Sequence, residues 1–143
     1  MIDIESKVVD TIYNAVKANN AYPDADVTTG YDEKLATFPC VVIEEINNVP
    51  YRRTATDDCS ENHTRLTYEI SVITDNVNTA KTVGREILGI VDNAMQGLKF
   101  RRVYTSQPLN MDRTKFRQYG RWEVIVGKPI TVGNNLVYQM YRR

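Results

Sequence analysis

Two stretches of the chain repeat apolar residues at the three- and four-residue spacing that is typical of amphipathic helices. Residues 3–19 form the first, and Asp3 and Glu5 lie where the positive end of a helix dipole favours anions. Residues 77–96 form the second, and we expect Gly97 to supply the left-handed position that ends this helix. The stripes consist of Ile4, Val8, Ile12 and Val16, and then of Val83, Ile87, Ile90 and Val91.

The other apolar positions follow strand patterns. Residues 38–43 are an unbroken apolar run, too short for a helix, and predict a strand that is buried on both faces. Residues 66–72 alternate between polar and apolar types, which indicates a half-buried strand. Further strands are predicted over residues 100–104, 119–126 and 136–141, with Trp122, Val124 and Val126 facing the core.

These elements follow one another in the order α-β-β-α-β-β-β. Packing two helices against one sheet is the economical way to bury both apolar helix stripes. The chain of 143 residues has the length of one ordinary domain. We therefore predict a single α+β domain over residues 1–143, with one mostly antiparallel, mixed sheet and two main helices packed against it.

Two long polar segments, residues 47–64 and 106–118, interrupt this pattern. Loops of such length are uncommon in compact domains and are usually functional or disordered. Neither segment is rich in glycine and serine, so neither resembles a domain linker. We expect both to be interaction segments, and their predicted charged contacts are Arg52, Arg53, Arg113, Lys115 and Arg117.

Charge changes this picture most, because the formal net charge of zero hides a strong segregation along the chain. Residues 1–50 carry 3 Lys+Arg against 9 Asp+Glu, residues 51–97 carry 5 against 7, and residues 98–143 carry 10 against 2. The three segments therefore have net charges of −6, −2 and +8. An acidic first third and a basic last third either pair within one subunit or face neighbouring subunits, and the sequence leaves both arrangements open.

Composition excludes two broad classes of protein. A hydrophobic fraction of 42% and a charged fraction of 25% are those of a globular chain, not of a disordered one. No apolar stretch approaches the roughly 18 residues that span a bilayer, so no membrane partner is expected. The N-terminus lacks the pattern of a secretory signal, so we expect maturation in the cytoplasm with Cys40 and Cys59 reduced.

Catalytic and metal-binding patterns are weak. His63 is the single histidine, in an acidic stretch that also holds Cys59, and zinc sites usually need three or four ligands at set spacings. Glu44 and Glu45 end a buried strand, but neighbouring strand residues point to opposite faces and do not converge for acid–base chemistry. We therefore predict no catalytic, cofactor or metal site, and we interpret Glu44 and Glu45 as a solvated edge or a subunit contact.

The basic last third interleaves cations with aromatic residues, a combination that nucleic-acid surfaces use for phosphate neutralisation and base stacking. The sequence isoelectric point of about 6.6 is below that of a dedicated nucleic-acid binder. Pairing of these cations with the acidic first third, inside or between subunits, is the favoured interpretation, and a nucleic-acid-binding module is the alternative. The cations concerned include Arg101, Arg102, Arg113, Lys115 and Arg117.

The order of elements resembles the tail terminator, or minor tail protein, family of long-tailed bacteriophages. The likeness is carried by the N-terminal helix with Tyr22–Val27, by the run from Phe38 to Glu45, by Tyr68–Val72, by one long helix and by arginine- and aromatic-rich final strands. The resemblance implies a structural virion protein without enzymatic activity, located at the head-proximal end of the tail and assembled in the cytoplasm of the bacterial host.

The same resemblance implies a ring, commonly a hexamer, that stops tail-tube polymerisation and offers a docking surface to the head connector. Its partners would be further copies of itself, the tail tube protein and the connector protein, and DNA would pass through the lumen without specific recognition. A protein that joins head and tail from the head side of the same junction is a close alternative to the tail terminator. A head-to-tail contact of this kind uses two different patches on each subunit, and separated acidic and basic surfaces suit that requirement.

Overall fold

The computed structural model describes residues 2–18, 22–30, 38–50, 63–75, 80–106, 109–110, 115–127, 130–133, 135–138 and 140–141. Helix α1 spans Glu5–Tyr13 and continues as a π-helical turn over Asn14–Ala18, and helix α2 spans Ala80–Gly97. The strands are β1 Asp26–Thr29, β2 Cys40–Pro50, β3 His63–Thr74, β4 Arg101–Thr105, β5 Leu109–Asn110, β6 Phe116–Gly127, β7 Ile130–Val132, β8 Asn135–Val137 and β9 Met140–Tyr141.

One mixed sheet organises these strands in the spatial order β1-β2-β3-β6-β4. Strand β1 pairs with β2 in parallel, and the pairs β2–β3, β3–β6 and β4–β6 are antiparallel. The short strands β5 and β9 also pair with β6, one at each end of it, while β7 and β8 form a separate two-stranded ribbon. The fold is therefore α+β with a mixed sheet and two helices among the described residues, as the sequence predicts.

The core lies between the two helices and one face of the sheet. Val8 and Ile12 of α1 and Ile87 and Val91 of α2 are fully buried there, because each helix turns its apolar stripe to the sheet. The sheet contributes alternate side chains from its central strands, including Leu66, Tyr68, Ile70, Trp122, Val124 and Val126. The predicted inward direction of Trp122, Val124 and Val126 is confirmed, and Cys40–Ile43 is buried on both faces as expected.

The opposite face of the sheet is polar over most of the described region. Glu69 of β3 and Arg121 of β6 lie directly opposite each other on this face, and Glu44 and Tyr104 continue the same row towards the two ends of the sheet. A small cluster of Cys40, Val42, Ile73 and Phe38 buries apolar surface there, and Ile125 is also buried on this face. We call these two sides the helix-covered face and the open face.

The end of α2 differs from the prediction. The residue with a left-handed backbone is Lys99, at φ 67°, and not Gly97. The amide of Phe100 donates to the carbonyl of Met95 at 2.9 Å and that of Lys99 to Gln96 at 2.9 Å, which is the Schellman pattern of hydrogen bonds. Phe100 and Met95 are both fully buried, so the packing of Phe100 determines where the helix ends.

Several predicted boundaries move because strands extend into the polar segments. Strand β2 continues to Pro50 and β3 begins at His63, so only residues 51–62 of the first segment lie outside the described strands. In the second segment Leu109–Asn110 forms β5, and β6 begins at Phe116. The single last strand predicted over 136–141 is wrong, because β8 pairs with β7 while β9 pairs with β6.

Candidate assembly interface

The first candidate contact surface lies where β1 ends beside β2. The parallel pairing of β1 covers only Cys40–Ile43 of β2, so the seven residues Glu44–Pro50 have no described strand on that side. A cleft of about 550 Å³ opens there, between the end of β1 and the start of α1. We call the segment Glu44–Pro50 with this cleft the acidic edge, because Glu5, Glu44 and Glu45 line it.

Glu45 is held in an environment that disfavours its charge. It lies on the helix-covered face opposite Tyr68, and partial burial raises the pKa of the Glu45 carboxyl, with the negative charges of Asp3 and Glu5 adding to the rise. The side-chain amide of Asn48 donates to Glu45 Oε1 at 3.4 Å, which opposes the rise in its pKa in part. No described lysine or arginine forms an ion pair with Glu45, Asp3 or Glu5, so no cation within the described part of the subunit offsets this accumulation of negative charge.

The hydroxyl of Tyr68 belongs to the same cluster. Tyr68 is fully buried, and its hydroxyl has no hydrogen bond of good geometry to any described residue. Burial raises the pKa of this hydroxyl strongly, and the charges of Glu45, Asp3 and Glu5 raise it further. The Tyr68 hydroxyl and the Glu45 carboxylate therefore lie close together at the acidic edge, where a cation docking from outside would offset the negative charges of Glu45, Asp3 and Glu5.

Glu44 points to the open face and has a different neighbour. It lies directly opposite Glu69 of β3, and like charges in that position are destabilising. Glu69 is itself neutralised, because Arg117 Nη2 lies 3.4 Å from Glu69 Oε2 and Arg121 Nε lies 3.4 Å from Glu69 Oε1. Glu44 forms no ion pair with a described residue, so it adds to the charge of the acidic edge from the other face.

The second candidate contact surface is β4, the terminal strand at the other end of the sheet. All five of its residues, Arg101–Thr105, are exposed, and no described strand pairs with its outer side. Arg101 lies opposite Glu123 and so belongs to the open face, whereas Arg102 lies opposite Trp122 and belongs to the helix-covered face. We call this strand the basic edge.

Both edges carry a β-bulge with an exposed apolar side chain. The pairing of β2 with β3 skips Ile46, and the pairing of β4 with β6 skips Val103. Ile46 is 40% exposed and Val103 is 49% exposed, so each bulge presents an apolar side chain to solvent. Each bulge residue follows two charged residues, Glu44 and Glu45 in one edge and Arg101 and Arg102 in the other.

Several arginines of the basic last third are already paired within the subunit. Arg102 Nη1 lies 3.2 Å from Asp92 Oδ2, and Arg117 and Arg121 share Glu69. These carboxylates come from the middle segment of the chain, so the expected pairing of the basic third with the acidic first third does not occur among the ion pairs of the described residues. Of the acidic first third, Glu5, Glu44 and Glu45 lie together at the acidic edge, at the other end of the sheet from β4.

Arg117 is not in a loop, contrary to the prediction. It lies in β6, its Nε donates to Ser71 Oγ at 3.1 Å, and its guanidinium carbon is 4.3 Å from the centre of the Tyr119 ring. Lys115 precedes the strand, with its ammonium 5.6 Å from the centre of the Phe38 ring. The remaining predicted contacts Arg52, Arg53 and Arg113 lie outside the described residues.

His63 also differs from its expected position in a solvated loop. It is the first residue of β3, half-buried, and its ring centre is 5.5 Å from that of Tyr141 in β9. Its Nδ1 is buried without a hydrogen-bond partner among the described residues. Over the described ranges, no three His, Cys, Asp or Glu side chains are placed to hold a metal ion together.

Sequence reasoning missed the residues that set the charge of each edge. Glu69 neutralises arginines from the distant strand β6, Asp92 pairs with Arg102 of the strand that follows its helix, and Asp3 and Glu5 lie near Glu45 although 40 or more positions separate them. The alternation of polar residues in β3 places Glu69 on the open face, but it does not reveal which strand lies opposite. No local signal in the sequence identifies these partners.

Comparisons with known proteins do not assign the chain to a family. No protein-family model matches it, and a search of curated proteins finds no match either. None of the helices in the described ranges combines the length and the apolar content that crossing a membrane requires.

Proposed function

We propose that this chain is a structural virion protein of a long-tailed bacteriophage, a tail terminator that forms a ring on the head-proximal end of the tail tube. The observation that carries the proposal is the placement of an acidic and a basic edge at opposite ends of one sheet. The resemblance in the order of elements supplies the particular role. In this proposal the protein is not an enzyme and needs no cofactor.

The two edges support a ring for a reason of symmetry. A contact between two different patches is heterologous, and it closes into a ring when the rotation from one subunit to the next divides a full turn. Opposite charges on the two patches favour this head-to-tail encounter, whereas two copies of the same edge repel each other. A ring of six copies is the proposed assembly.

The remaining surfaces are available for the proposed partners on the two sides of the ring. The tail tube protein binds one side, which stops further tube polymerisation, and the head connector docks on the other. Arg52, Arg53 and Arg113 stay predicted contacts for these partners. DNA passes through the lumen without specific recognition.

The test uses the purified full chain and purified tail tubes. Light scattering after gel filtration is expected to give a mass of about six subunits at the higher concentrations, since the contact follows mass action. Electron microscopy is expected to show the protein at one end of each tube. A chain that stays monomeric at every concentration and does not bind tube ends contradicts the proposal. A ring that binds isolated connectors but never tubes favours a head-side joining protein instead.

A nucleic-acid-binding module is the second candidate, and one observation favours it. On the open face the Tyr104 and Tyr119 rings lie 5.9 Å apart between Arg117 and Arg121, and aromatic and cationic side chains of this kind stack bases and bind phosphates. Glu69 in the middle of the array opposes this role. Binding of single-stranded DNA that weakens steeply with salt and is lost in Arg121→Ala supports the module, and no binding in about 50 mM salt excludes it.

A further inference from the structure

We propose that the basic edge of one copy docks against the acidic edge of the next and continues the sheet from subunit to subunit. In this contact β4 of the neighbour occupies the position beside Glu44–Pro50 where β1 has ended. The occupant of the cleft is therefore a second copy of this chain. The inference deepens the proposed function and rests on it, because it names the contact that closes the proposed ring.

The lengths of the two edges match. Strand β4 has five residues and spans roughly 17 Å, while the open segment of β2 has seven residues and spans roughly 24 Å. The open segment of β2 is therefore long enough to receive a strand of the length of β4. An approaching strand has access to the cleft between β1 and α1, which has a volume of about 550 Å³.

The strand directions also match. Going across the sheet from β2 through β3 and β6 to β4, each step is antiparallel, so β4 runs opposite to β2 within one subunit. A rotation about an axis along the strands keeps these directions. It therefore brings the neighbour's β4 beside β2 in the antiparallel sense, the more favourable of the two pairings.

The same rotation keeps the two faces of the sheet in correspondence. Arg101 and Glu44 both lie on the open face, where the antiparallel contact makes them diagonal neighbours within reach of a long side chain. Arg102 and Glu45 both lie on the helix-covered face. The side-chain guanidinium of Arg102, whose side chain is 52% exposed, approaches the carboxylates beside Tyr68 while it stays near Asp92. On each face of the contact, a cation of the neighbour thus approaches a carboxylate, Glu44 or Glu45, that forms no ion pair with a described residue of its own subunit.

The bulges make the contact selective. A bulge interrupts the ladder of main-chain hydrogen bonds, so it protects an open edge from pairing with any strand it meets. Ile46 and Val103 are the exposed apolar residues at the two bulges, and the docked edges bury them together. An edge with the wrong charges or without a matching bulge gains neither the ion pairs nor this apolar contact.

Charge reversal on each edge tests the contact. Glu44→Arg places a positive charge in the acidic edge, and Arg101→Glu places a negative charge in the basic edge. Each variant alone is expected to self-associate about tenfold or more weakly than the wild-type chain, since facing like charges cost several kcal/mol. Mixed in equal amounts, the two variants are expected to associate again, because reversed edges on one variant then meet reversed edges on the other.

The matched control is Lys81→Glu, which makes the same charge change at an exposed position of helix α2, away from both edges, and should leave self-association unchanged. Sedimentation velocity across a concentration series measures the association, and circular dichroism confirms that each variant is folded. The contact is overturned by a wild-type chain that stays monomeric, by single variants that associate normally, or by a mixture that does not recover. Recovery in the mixture with no binding to tail tubes supports the contact and contradicts only the proposed role at the tail.

Discussion

Asp92 connects helix α2 to the sheet through hydrogen bonds to side chains of β4 and β6. Its carboxylate accepts a hydrogen bond from the Trp122 indole Nε1 at 2.9 Å, and it also accepts from Gln96 at 3.0 Å and from Arg102 at 3.2 Å. Trp122 is fully buried and is the single tryptophan of the chain. Removing the carboxylate therefore leaves the indole N–H without its acceptor in a place that water does not reach easily.

The substitution Asp92→Ala is expected to lower the free energy of unfolding by about 2–3 kcal/mol. The orphaned indole N–H accounts for about 1–3 kcal/mol of this loss, because a buried donor without an acceptor bears its full desolvation cost. The pair with Arg102 adds at most about 1 kcal/mol, since the Arg102 side chain is half-exposed. Asp92→Asn keeps an acceptor for Trp122, so it is expected to cost only about 1 kcal/mol.

Urea unfolding followed by circular dichroism measures both losses. All variants are compared at one low protein concentration, so that self-association does not add to the stability of the wild type. A thermodynamic cycle with Trp122→Phe isolates the hydrogen bond, because phenylalanine has no donor to leave unpaired. In the Trp122→Phe background, the loss of unfolding free energy caused by Asp92→Ala should be smaller than in the wild type by at least about 1 kcal/mol. Equal costs in the two backgrounds would refute the reasoning.

The other predictions concern single positions whose surroundings are defined. A Cβ on Gly120 would lie 2.7 Å from the buried Trp122 ring, so Gly120→Ala should destabilise the protein by about 1–3 kcal/mol in the same urea assay. Gly89 lies in a helix with open space around it, so Gly89→Ala should stabilise the protein by about 0.5–1 kcal/mol. Lys99→Gly should stabilise by about 0.5–1 kcal/mol because Lys99 adopts φ 67°, and a loss of stability would show that its side chain has another role. Burial and the charge of Asp26 raise the pKa of Cys40 to about 11. In a variant that lacks the other cysteine, the Cys40 thiol should therefore resist a disulfide reagent at pH 8 until the protein unfolds, and rapid labelling of the folded chain would contradict this.

The sequence predicted the elements whose apolar periodicity is long and regular. The alternation in residues 66–72 located β3 and its buried side chains, and the spacing in residues 77–96 located α2. Strand β1 was missed because its four residues carry no apolar alternation and its pairing with β2 is parallel. A strand of this kind is specified by the partner it lies beside and not by its own pattern.

The candidate interface was predicted only in part, for a related reason. Glu44, Glu45, Arg101 and Arg102 were identified from charge, and the structure places them at two opposite edges of the sheet. Which charges stay unpaired depends on cross-strand register, because Arg117 is neutralised by a residue 48 positions away in the chain. The residues around an arginine in the sequence contain no information about that pairing. The sequence therefore does not distinguish an arginine that forms an ion pair within the subunit from one that can contact a neighbour.

The charges of the acidic edge and the basic edge affect which chains a subunit can pair with. An open strand edge invites pairing with other chains, and proteins usually protect it with charges, bulges or a covering segment. Here the acidic edge and the basic edge each combine a bulge with charged residues, but the charges have opposite signs. Two like edges therefore repel each other, while an acidic and a basic edge attract. The same feature that protects a single subunit from unspecific aggregation thus leaves a second copy of the chain as the best-matched partner.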